Sequence, residues 1–141
     1  MFANNNAARS YASVGLQTGA ITANPHKLIS MLLEGAMVAI VKARHHMVAG
    51  DVAAKGNAIN QAVGIIDSGL RACLNMKDGG EIAQSLNALY SYMTQRLTTA
   101  HLENDLKKLQ EVHKLLADLK ATWDAIDPKA RARLATMENR A

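Results

Sequence analysis

"NPHKLISMLLEGAM", residues 24–37, opens as a helix and then turns apolar over far more than one stripe. Asn24 is a strong N-cap type, and Pro25 at the first helical position gives up no needed hydrogen bond. Leu28, Ile29, Met31, Leu32, Leu33, Ala36 and Met37 together cover well over half of a helix surface. A helix on the outside of a small domain needs only one apolar face. The excess must be covered by another part of this chain or by a different protein. The pattern continues to about Ala49, with Gly50 a natural stop, and predicts a helix over 25–49. Its inward positions are Leu28, Leu32, Ala36, Ala39 or Ile40, Ala43 and Met47.

Three more periodic segments follow. Asp51 caps a second helix to about 75, with Val52, Lys55 or Gly56, Ile59, Val63, Ile66, Leu70 and Cys73 inward. Gly64 and Gly69 inside it cost roughly 1 kcal/mol each against alanine, which points to close backbone packing or a docked partner. After the break KDGG at 77–80, a third helix is expected over 80–101, with Ile82, Leu86, Leu89, Met93, Leu97 and Ala100 inward and Tyr90 and Tyr92 widening the face. The fourth, about 104–125 with Asn104 as cap, carries the cleanest stripe: Leu106, Leu109, Val112 or His113, Leu116, Leu119 and Trp123. Four helices of similar length with short links predict antiparallel neighbours. The fold class is all-α, an up-down-up-down four-helix bundle over 24–127. A flexible N-terminal segment, 1–23, precedes it and a basic tail, 128–141, follows.

Of 141 residues 49% are apolar but only 4% aromatic, so aliphatics and seven methionines fill the core. The net charge of +4 is concentrated after Pro128, where Lys129, Arg131, Arg133 and Arg140 face Glu138 alone. A charge so localised, without aromatic platform or recognition helix, argues against nucleic acid as partner. Cys73 is the only cysteine, which fits a reducing compartment. The N-terminus lacks a secretion signal, and no apolar run suits membrane insertion, so the expected location is cytoplasmic. A di-iron bundle needs Glu-x-x-His on two helices, and no Glu here has His three residues later. His26, His45, His46, His101 and His113 are scattered, Cys73 reads as a core thiol, and no phosphate loop or nucleophile elbow occurs. No catalytic residue, metal site or cofactor is expected, and the chain reads as something other than an enzyme.

The surplus surface on the first and third helices has two readings. One is a wide core or the seam of a structural homodimer; the other is a groove for an amphipathic or disordered partner segment, with methionines letting it adapt. Several blocks decide the matter by resemblance: "YASVG" at 11–15, "TANPHKLISMLLEGA" at 22–36, "GDVAAKGNAINQAVGIIDSGL" at 50–70, "GGEIAQSLNALYSYMTQRL" at 79–97, and Trp123 at the end of the fourth helix. In this order they resemble the flagellar secretion chaperone family FliS. Leu33, where many relatives carry an aromatic, and Ser85, where Asn is common, are mild departures.

The resemblance implies a cytosolic export chaperone that binds the disordered C-terminal segment of flagellin one-to-one. It would prevent premature polymerisation and keep the subunit competent for flagellar type III secretion at the export gate. By motif match, Leu28, Met31, Leu32 and Gly35 of the first helix would line the partner groove. Ile66 and Leu70 of the second would join them, with Leu86, Leu89, Tyr90, Met93 and Leu97 of the third. Tyr11 and Val14 would cap it in the free form. A structural homodimeric bundle, or a weak homodimer beside the chaperone role, remains the alternative use of the surface.

Overall fold

The computed structural model describes residues 24–126; Tyr11, Val14 and the basic tail lie outside them. Within this span the chain forms helix α1 (Pro25–Ala49), α2 (Val52–Gly64), α3 (Gly80–Glu103) and α4 (Leu106–Ala125). Between α2 and α3 come a π-helical segment, Ile65–Leu70, and a 3-10 turn, Arg71–Cys73. Each helix packs on the next, and α4 closes the bundle against α1. The all-α bundle predicted from the spacing is what forms.

The two tight hairpins use one device. At the first, Gly50 takes a left-handed φ of 77° and Asp51 N–H donates back to His46 O at 3.0 Å. Asp51 then caps α2 by accepting from Ala54 N–H at 3.1 Å. At the second, Asn104 is left-handed, with φ 51°, and Asp105 N–H donates to Ala100 O at 3.0 Å. Asp105 then caps α4, accepting from Lys107 and Lys108 N–H at 3.0 and 3.4 Å. The cap is therefore Asp105, where the spacing had suggested Asn104. Asn104 ends the preceding helix instead, because a short polar side chain tolerates the left-handed region that a C-terminal stop requires.

The second helix departs from even winding. A π turn holds an extra residue, and this one buries Ile65 with Ile66 and Gly69 with Leu70 as adjacent pairs. A Cβ at Gly69 would come within 3.0 Å of Leu32 Cδ2, so close packing on α1 accounts for this glycine. Beyond the π turn the 3.6-residue row is out of phase. Cys73, expected in the core, is exposed. Arg71 fixes the turn to α3, donating to Asn87 O, Asn87 Oδ1 and Ser91 Oγ while pairing with Asp67 at 3.1 Å.

The core runs through all four helices, from Leu32, Leu33, Ala36, Ala39, Ile40 and Ala43 to Leu109, Val112 and Leu116. Val52 and Ile82, expected inward, are 65% and 75% exposed, since both sit in first turns that overhang the bundle. Lys55, offered by the spacing as an inward position, is buried: its ammonium donates to His101 O at 3.1 Å and to Asn104 Oδ1. A cation there satisfies carbonyls at the C-terminus of α3 and complements its dipole. The opposite pole is tied by His26 and Trp123. Their rings stack at 4.6 Å, Trp123 Nε1 donates to His26 O at 2.9 Å, and His26 Nε2 meets Trp123 O at 2.8 Å.

Candidate functional site

The residues proposed for a groove divide into two groups. Leu32, Ile66, Leu70, Tyr90, Met93 and Leu97 are core residues, each no more than 4% exposed. Heptad-like spacing cannot separate them from a groove, because both kinds of position lie on the same helix face. Tyr90, picked for a half-buried site, lies in this core. Burial pushes its phenol up to about 12, with the nearby Cys73 thiol adding to the shift. Leu28, Gly35, Leu86 and Leu89 are half-buried, and Met31 is exposed.

The half-buried leucines are not scattered. Tyr92 and Arg96 of α3 both bond Glu111 of α4, which fixes the antiparallel register of the pair. One turn further toward the His26–Trp123 pole, that register sets Leu89 opposite Leu115, and the next turn sets Leu86 opposite Leu119. All four pack on the core while remaining partly open to solvent. Beyond them Ile82 stands almost free. The result is a partly open apolar seam between α3 and α4.

Its other end is polar. The Tyr92 hydroxyl donates to Glu111 Oε2, Arg96 Nε donates to Glu111 Oε1 at 2.7 Å, and the guanidinium carbon lies 5.8 Å from the Tyr92 ring centroid. The Tyr92 hydrogen bond, and then Arg96, holds the Glu111 carboxyl below its ordinary range; the same bond to Glu111 raises the Tyr92 phenol. These three side chains close the seam over where it would otherwise continue along the hairpin.

Leu115 was missed by the sequence reading. The signal was the doubled leucine of "KLLADL", residues 114–119, which widens the α4 stripe toward α3. Such a seam offers apolar contact and water exclusion. Among the described residues no three His, Cys, Asp or Glu side chains gather to hold a metal ion, and no helix is long and apolar enough to cross a membrane.

What the fold and the site define is an all-α four-helix bundle with a partly open leucine seam. The model of the flagellar protein FliS family matches residues 7–130, and the chain belongs to that family. It is similar to the flagellar secretion chaperone FliS of Salmonella typhimurium, 46% identical over 86% of this chain and 90% of that one. The Vibrio cholerae FliS is 36% identical over 86% and 88%, respectively. FliSB of Pseudomonas aeruginosa is 40% identical over 85% and 94%.

Proposed function

We propose that this chain binds the C-terminal segment of flagellin in the cytoplasm, one-to-one, keeps it from polymerising early and holds it ready for flagellar type III secretion at the export gate. The observation that carries the reading is the α3–α4 seam in a member of this chaperone family. Leu86 and Leu89 with Leu115 and Leu119 leave apolar surface that a folding segment can cover. Leu28, Met31 and Gly35 of α1, on the side of that helix turned away from α4, form a second strip that the segment reaches by wrapping round the bundle, and the core leucines behind the seam give it shape. A disordered client gives back part of the contact energy as lost chain entropy, which tempers affinity and favours release. Tyr11 and Val14 act as the cap of the same surface in the free form.

Calorimetry with a synthetic flagellin C-terminal segment tests this. The expected result is a one-to-one complex with a negative heat-capacity change, since apolar area is buried. Leu86→Asp and Leu89→Asp weaken it at least about tenfold, roughly 1.4 kcal/mol, because a carboxylate cannot enter the seam without losing its water. Absence of binding at tens of micromolar would sink the proposal. A concentration-independent dimer that the segment cannot dissociate would hand the surface to the homodimer instead.

A further inference from the structure

A second contact surface lies between α1 and α4, toward the Lys55 pole and on the side of the bundle away from α3. Ile40, Val41 and Arg44 of α1 and Leu109, Gln110 and His113 of α4 line a cavity of about 70 Å³ open to solvent. Its floor is core, since Ile40 and Leu109 are fully buried. Its lip is apolar: Val41 is 42% exposed, and Val48, two turns along the same face, is 72% exposed. Two valines seven residues apart on one helix lie about 10 Å from each other, the spacing at which a partner helix repeats its contacts.

The stretch of α1 that forms this lip is basic. From Gly35 to Gly50 the chain carries Lys42, Arg44, His45 and His46 and no acidic residue. Across the cleft α4 presents His113. Basic residues at the end of α1 suit its dipole, and that alone would explain their presence. It does not explain an exposed Arg44 with no acceptor among the described residues, beside an apolar notch and an exposed valine pair. On the same helix pair, Lys120 is paired with Asp124 at 2.7 Å and reaches toward Glu34.

We propose that this cleft docks an acidic amphipathic helix of a partner protein. One branched aliphatic side chain of that helix fills the notch, a second covers Val48, and a flanking carboxylate takes the Arg44 guanidinium, the donor best shaped to receive one. The surface is separate from the α3–α4 seam, so the same molecule holds a client on one side and this acidic partner on the other.

The test uses the full chain, isotopically labelled, and a synthetic amphipathic peptide with leucines at helical spacing and glutamates beside them. A second peptide carries lysine in place of every glutamate. Expected are amide shifts confined to Ile40–Val48 and Gln110–His113, binding about tenfold tighter for the glutamate peptide, and weakening by added salt. Arg44→Glu removes about tenfold or more of that affinity and leaves flagellin-segment binding unchanged. Arg44→Gln serves if the reversal impairs folding. Equal binding of the two peptides, shifts centred on Leu86, Leu89 and Leu115, self-association through Val41 and Val48, or no shifts at millimolar peptide would each overturn the proposal.

Discussion

The α1–α2 pair and the α3–α4 pair are built on the same hairpin plan, yet they seal differently. Between α1 and α2 the contact side is made of small residues, Ala36, Ala39, Ala43, Ala58, Ala62 and Gly69, so the backbones come close and Leu32 lies against Gly69. Between α3 and α4 the seam residues are leucines, Leu86, Leu89, Leu115 and Leu119, which pack on the core yet stay partly open to solvent. Helix separation follows the side chains at the contact. Small residues give a closed joint, and large ones give a joint with leftover apolar surface. The difference lies in how much apolar surface each joint leaves uncovered along its own seam.

The largest effect that sharpens this contrast is in the sealed half. Ile66→Ala, at a fully buried position, should cost about 3–4 kcal/mol in denaturant unfolding, since transfer and cavity terms add. Gly69→Val should cost about 2 kcal/mol by overpacking against Leu32. Leu89→Ala, half-buried in the seam, should cost only about 1 kcal/mol of stability while weakening client binding at least about tenfold. If Leu89→Ala destabilises as much as Ile66→Ala, the two pairs are equally sealed and the contrast is gone.

Smaller effects come from the polar ties. Glu111 is held low chiefly by the Tyr92 hydroxyl, Asp105 by the Lys108 ammonium and Asp124 by the Lys120 ammonium. A carboxyl whose folded value is lowered stabilises fully above its unfolded value and loses that contribution as pH falls through the folded one. Melting temperature should therefore hold down to about pH 4 and fall below it. The loss is modest because the groups are exposed. Glu111→Gln should flatten this slope and, by freeing Tyr92 and Arg96, lengthen the seam toward the hairpin. Smallest of all, Tyr11→Ala should leave the melting temperature nearly unchanged and tighten client binding. A large drop in melting temperature would make Tyr11 part of the core rather than a cap.

Much of the fold was legible because its boundaries rest on local chemistry. Asn24, Pro25, Gly50 and Asp51 each do at their own position what their side chains or backbone favour. The π turn was not legible: nothing within residues 65–70 states that the winding widens, and the close fit of Gly69 there is made with Leu32 of another helix. One extra residue there is enough to move Cys73 from the predicted core to the surface. The site was half legible. Periodicity finds the apolar face of α3, but the split between Leu97 in the core and Leu86 in the seam depends on packing against other helices, which spacing along one helix does not record.

The ring pair at the open pole has one more consequence. Trp123 is the only tryptophan, and it fastens the first turn of α1 to the last turn of α4, the two places where the terminal segments leave the bundle. Strain carried into the bundle by either segment meets that fastening first. Its native fluorescence thus serves as a strain gauge for that fastening, read in real time with no added label.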